Sequence, residues 1–90
     1  MNKLWSDRAW DDYLYWQTQD KKTAKKINEL IISIEREGVS EGLGKPEPLK
    51  GKLTNHWSRH IDRKNRLIDR VYEDEQIITI ISLRGHYSDK

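Results

Sequence analysis

Cysteine is absent from this 90-residue chain, which excludes a disulfide framework and any thiolate metal site. Proline occurs only twice and glycine five times. No apolar run approaches the roughly 20 residues of a membrane-spanning helix. The opening stretch MNKLWSDRAW also lacks the apolar core of a secretory signal, so a cytoplasmic protein with no membrane contact is expected. No serine sits in a Gly-x-Ser-x-Gly elbow, and GLGKPEP has neither Walker spacing nor a helix start after its lysine. Those absences leave acid and base chemistry, or binding without chemistry.

Hydrophobic residues make up 34% of the chain and charged residues 36%. Ten Ile, eight Leu and eight Trp or Tyr are nevertheless enough for a small core, so disorder throughout is not expected. Ninety residues suit one domain over 1–90, burying roughly 60 to 65% of the unfolded surface. The net charge of +2 hides an uneven distribution: between Lys45 and Arg66 seven basic residues face two acidic ones, with His56 and His60 in addition. Such an excess suits a polyanion or an acidic partner segment, although a solvated basic face has the same composition.

Lys3 to Trp5 can form a short strand, and Ser6 is a good helix N-cap with Asp7 in the first turn. Ala9, Trp10, Tyr13, Leu14 and Gln17 then follow helical spacing. Asp20 reads as the next cap, Ala24, Ile27, Leu30, Ile31 and Ile34 mark one face of a second helix, and Gly38 stops it. Three glycines and two prolines in GVSEGLGKPEP predict irregular chain. HWSRHI, RLIDRVY and QIITIISL read as strands joined by polar turns, the last one central, with Trp57, Arg59 and Ile61 alternating against Ser58 and His60. The expected fold class is α+β: two N-terminal helices packed on one face of a small, mostly antiparallel sheet, in the order β-α-α-β-β-β.

His56 and His60 have a spacing that binds zinc on a helix, but four residues of strand span about 13 Å, too far for one ion. No metal and no cofactor is therefore expected. Glu47 stands between two prolines that fix its backbone, in a lysine-rich segment whose field favours the ionised form a general base needs. Arg59 and Arg66 flank a turn, where paired guanidiniums would fit phosphate oxygens; ion pairs to Asp62 or Asp69 are the bland alternative. RNA can be cut without metal if a base takes the 2′-OH proton, a cation stabilises the phosphorane and an acid protonates the leaving 5′ oxygen. Glu47, Arg66 and His86 are the residue types for those roles, and Tyr87 offers a ring for stacking and a hydroxyl for the phosphate. The residues alone stop at a nucleic-acid-binding domain or a nuclease.

The strings WDDYLYW (10–16), KKINELI (25–31), GKPEPLK (44–50), WSRHI (57–61), NRLI (65–68) and the His86-Tyr87 pair resemble the Txe/YoeB family of bacterial toxins, within the RelE superfamily. The resemblance runs in order along nearly the whole chain. It implies a ribosome-dependent mRNA interferase, the toxin half of a type II toxin-antitoxin pair, acting in the ribosomal A site and neutralised by a YefM-like antitoxin. Carried over by motif, Glu47 is the general base, Arg66 stabilises the transition state, His86 is the general acid and Tyr87 orients or stacks the scissile nucleotide. Lys50 and Arg59 would hold phosphates, and the basic segment adds Lys45, Lys52 and His60 to the RNA-binding set. Ribosome and mRNA are the implied partners besides the antitoxin, and a homodimer is left open.

The chain departs from the family at three places. His60 stands where the family commonly has the second arginine of WSRRI, Asp69 where it often has tyrosine, and Ser88 to Lys90 follow the tyrosine that usually ends it. Two rivals remain: a ParE-like toxin of the same fold that binds gyrase without RNA chemistry, and an RNA-binding module that has lost catalysis. The GKPEPLK glutamate and the His-Tyr pair weigh against both.

Overall fold

A computed structural model of the chain describes residues 1–85. His86 and Tyr87 lie outside them. Strand β1 spans Asn2–Trp5, helix α1 Asp7–Gln19 and helix α2 Lys21–Glu37. Four more strands follow: β2 Glu47–Pro48, β3 Trp57–His60, β4 Arg66–Tyr72 and β5 Ile77–Ser82. They form one sheet in the order β1-β5-β4-β3-β2. β1 runs parallel to β5, and the other pairs are antiparallel. The helix pair thus carries the chain from one sheet edge to the other.

Caps set the helix limits. Ser6 Oγ accepts the Ala9 N–H at 2.9 Å and donates to Ile81 O at 2.7 Å, so one hydroxyl starts α1 and ties it to β5. Asp20 alone forms the connection between the helices. Its N–H donates to Trp16 O, closing α1, and its carboxylate accepts the N–H groups of Lys22 and Thr23, opening α2. Hydrogen bonds from Thr23 hold that carboxylate below its ordinary pKa. Gly38 caps α2 at φ 90°.

The helices cover one face of the sheet. Ile27, Leu30 and Ile34 of α2 meet Leu67, Ile78 and Ile80 of the sheet, with Ala9 and Trp16 of α1 and Leu83 beyond β5. Burying each Ile or Leu side chain contributes about 1.5 to 3 kcal/mol. β5 alternates buried and half-buried positions along its length, as a strand with one covered face should.

Three expectations need revision. GVSEGLGKPEP is not wholly irregular, because Glu47 and Pro48 pair with Ser58 and Trp57 as an edge strand, where a proline without an N–H is tolerated. The buried stripe of α1 is Ala9, Asp12 and Trp16, while Trp10 and Leu14 remain 47% and 46% exposed. Arg59 and Arg66 do not adjoin: the register pairs Arg59 with Leu67 and His60 with Arg66, so the two guanidiniums belong to opposite faces.

Candidate active site

The sheet face away from the helices gathers several of the candidate site residues. Strand parity places Glu47, Ser58, His60, Arg66 and Ile68 there, with Glu47 opposite Ser58 and His60 opposite Arg66. Directly opposed residues have Cβ atoms about 5 Å apart. His60 Nε2 lies 3.7 Å from Glu47 Oε1, both side chains being open to solvent on one side. Glu47, His60 and Arg66 are therefore neighbours across three strands.

The approach to Glu47 is tightly built. Gly44 at φ 84° accepts the His60 N–H at 2.7 Å, and a Cβ there would lie 2.8 Å from Leu30 Cδ2. Lys45 follows at φ 52°, a left-handed conformation that costs a lysine about 1 kcal/mol, and Pro46 then fixes the entry to β2. Lys45, Lys50 and Lys52 are all exposed around this loop.

Arg66 opens β4 after a turn organised by Asp62. One Asp62 oxygen accepts the N–H groups of Lys64 and Asn65 at 2.8 and 2.7 Å. Desolvation pushes that carboxyl up, but hydrogen bonds from Asn65 and Lys64 outweigh it and hold it below the ordinary value. One terminal nitrogen of Arg66 donates to Asp62 O, Asn65 O and Arg63 O at 2.8 to 3.3 Å. Among the described residues its Nε and other terminal nitrogen meet no acceptor, leaving one edge of the guanidinium for an anion.

The same corner holds the last described residue. Gly85, at φ 93°, accepts the Arg66 N–H at 3.0 Å and donates to Asn65 Oδ1 at 2.8 Å. Just before it, Asp12 Oδ2 accepts the Leu83 N–H and Trp16 Nε1 donates to Leu83 O, both at 2.9 Å. Arg8 donates to Arg84 O, and the Arg84 guanidinium lies 3.6 Å from the Tyr15 ring centroid. Asp12, Trp16 and Asn65 thus fix the segment that leads to His86. Sequence reading missed that part of WDDYLYW, although an acid within a helical stripe was its signal.

Arg59 is a correction. It is 0% exposed and points into the helix layer, so it is not placed to hold a phosphate. Its terminal nitrogens donate to Gly38 O, Val39 O, Glu41 O, Leu43 O and Ser33 Oγ, which folds the 38–44 loop around the guanidinium. Burial pulls its pKa down, against the pull of Asp69 and Glu37. His56 precedes β3, with Nδ1 3.3 Å from Thr54 O.

Comparison with known proteins follows this geometry. Residues 5–87 match the family described as "YoeB-like toxin of bacterial type II toxin-antitoxin system". The chain is 49% identical over 87 residues to Toxin YoeB of Escherichia coli K12, covering 97% of this chain and all of that one. Among solved structures, a YoeB/ParE toxin from Agrobacterium tumefaciens superposes with a TM-score of 0.92 at 42% identity, covering 97% of this chain and 100% of that chain. The toxin of a heterotetrameric YoeB-YefM complex from Staphylococcus aureus does so at 0.88 and 47%, covering 97% and 98%. By sequence over nearly its whole length and by fold, this chain belongs to the YoeB-like toxin family of bacterial type II toxin-antitoxin systems.

Proposed function

We propose that this toxin is an endoribonuclease that cuts mRNA on the ribosome and stops translation. Glu47 takes the proton from a 2′-OH, the 2′ oxygen attacks the adjacent phosphorus, and His86 protonates the 5′ oxygen as the P–O bond breaks. The products are a 2′,3′-cyclic phosphate and a 5′-OH, so atoms and charge balance with no metal in the step. The open edge of the Arg66 guanidinium stabilises the charge that develops on phosphorus, and Tyr87 stacks on a base. Lys45, Lys50, Lys52 and His60 surround the path of the backbone. The observation that carries this reading is the cluster of Glu47, His60 and Arg66 on the sheet face away from the helices, with Gly85 hydrogen-bonded to Arg66 immediately before His86.

A YefM-like antitoxin is the proposed inhibitor, supported by the toxin in the Staphylococcus aureus complex that this chain resembles and by the basic excess from Lys45 to Arg66, which suits an acidic segment. Primer extension on a translation extract tests the activity. The wild type is expected to cut ribosome-bound mRNA within or beside an A-site codon, and Glu47→Ala and His86→Ala to cut far less while still folding. An intact message together with inhibited DNA supercoiling would favour gyrase binding instead.

A further inference from the structure

We propose that the exposed face of the first half of α2 is a second docking surface for RNA phosphates, on the side of the molecule away from Glu47. It rests on the ribosome reading above, since the partner it names is the structural RNA around the message.

Lys21, Lys22, Lys25 and Lys26 are all exposed, and their helical positions lie opposite the buried stripe of Ala24, Ile27, Leu30, Ile31 and Ile34. No acid occurs in the first turn of α2, and from Lys21 to Asn28 four cations stand without one. Among the described residues the ion pairs are those of Met1 and Lys3 with Glu35 and of Arg8 with Asp12, so none includes these lysines. The carboxylate of Asp20 is occupied in capping the helix.

Helix stability alone disfavours this pattern. Cations in a first turn oppose the macrodipole, and Lys21 with Lys25 and Lys22 with Lys26 are like-charge pairs one turn apart. Asp20 and Glu29 border this row, which leaves four lysines against two acids with no lysine in an ion pair among the described residues; such an excess matches a phosphate backbone, whose contacts are made by lysine and arginine and weaken steeply with salt. The helix layer and the Glu47 face lie on opposite sides of the sheet, so a toxin enclosed by RNA can hold the message on one side and a structural RNA on the other.

The test measures binding of purified ribosomes against salt for the wild type, for a variant with all four lysines changed to Gln, and for one with all four changed to Arg. The Gln variant is expected to bind about tenfold more weakly or worse, with a log-log salt slope flatter by about 3, and the Arg variant to match the wild type. Thermal melting checks that both fold, and Lys22→Gln with Lys26→Gln alone should give an intermediate loss. Unchanged affinity and slope in a folded Gln variant would overturn the proposal, as would intact ribosome binding with loss of antitoxin capture. A wild type that ignores ribosomes would instead overturn the underlying reading.

Discussion

Asp69 lies fully buried in the field of Arg59, yet among the described residues neither of its carboxylate oxygens has a hydrogen-bond partner. Arg59 Nε likewise meets no partner among the described residues, while the terminal nitrogens of that guanidinium are committed to the 38–44 loop. Burial raises the Asp69 pKa to about 7, with Arg59 pulling it down only in part. Burial without a hydrogen-bond partner among the described residues favours the neutral acid.

The pH dependence has a definite sign. A folded-state pKa of about 7 above an ordinary 3.8 means that the folded chain holds the proton more tightly. The contribution is full below about pH 4 and is lost as pH rises to about 7; ionised Asp69 then costs on the order of 4 kcal/mol. Asp69→Asn should stabilise the protein at pH 8 by a few kcal/mol and change little at pH 4. Urea unfolding of both proteins across that range measures the difference, and a gap that stays constant with pH would contradict it.

Arg59 supports the loop that delivers Glu47. Arg59→Met leaves the carbonyls of Gly38, Glu41 and Leu43 without their donor, at a cost of about 3 to 5 kcal/mol. Faster amide exchange should appear in residues 38–44 and at His60, whose N–H bonds to Gly44 O. Destabilisation with unchanged exchange there would show that the guanidinium does not organise this loop.

The pins on Leu83 predict an effect that travels toward the site. Trp16→Phe removes one neutral hydrogen bond and should cost about 1 kcal/mol; Asp12→Ala leaves a buried N–H unpaired and should cost about 1 to 3 kcal/mol. If residues 82–85 present His86 as proposed, RNA cleavage should fall in Asp12→Ala even at temperatures where it is fully folded. Cleavage assays below the melting transition decide this.

The helix ends were legible because caps are local: Ser6, Asp20 and Gly38 each act within four residues of chain. The strands after residue 56 were legible for the same reason, through alternation and turns. Glu47–Pro48 pairing was not, since two residues among glycines and prolines acquire strand geometry only from β3. Asp12 was passed over because a search for apolar periodicity skips an acid. Arg59 is the instructive failure. The alternation had already grouped it with Trp57 and Ile61 and opposed it to His60, so parity pointed to the core while its charge suggested a phosphate. Parity won because loop carbonyls supplied enough acceptors to bury a guanidinium.

His60 remains the informative departure at the site, since it stands 3.7 Å from Glu47 and opposite Arg66. An imidazole changes charge with pH where an arginine does not. His60→Arg places a permanent cation beside Glu47 and the path of the phosphate and should raise the cleavage rate several-fold, while His60→Gln, which keeps a hydrogen-bonding group without a charge, should not. Single-turnover cleavage of one programmed ribosome complex by all three proteins measures the effect. An unchanged rate in His60→Arg would mean that a cation at this position has no part in the reaction.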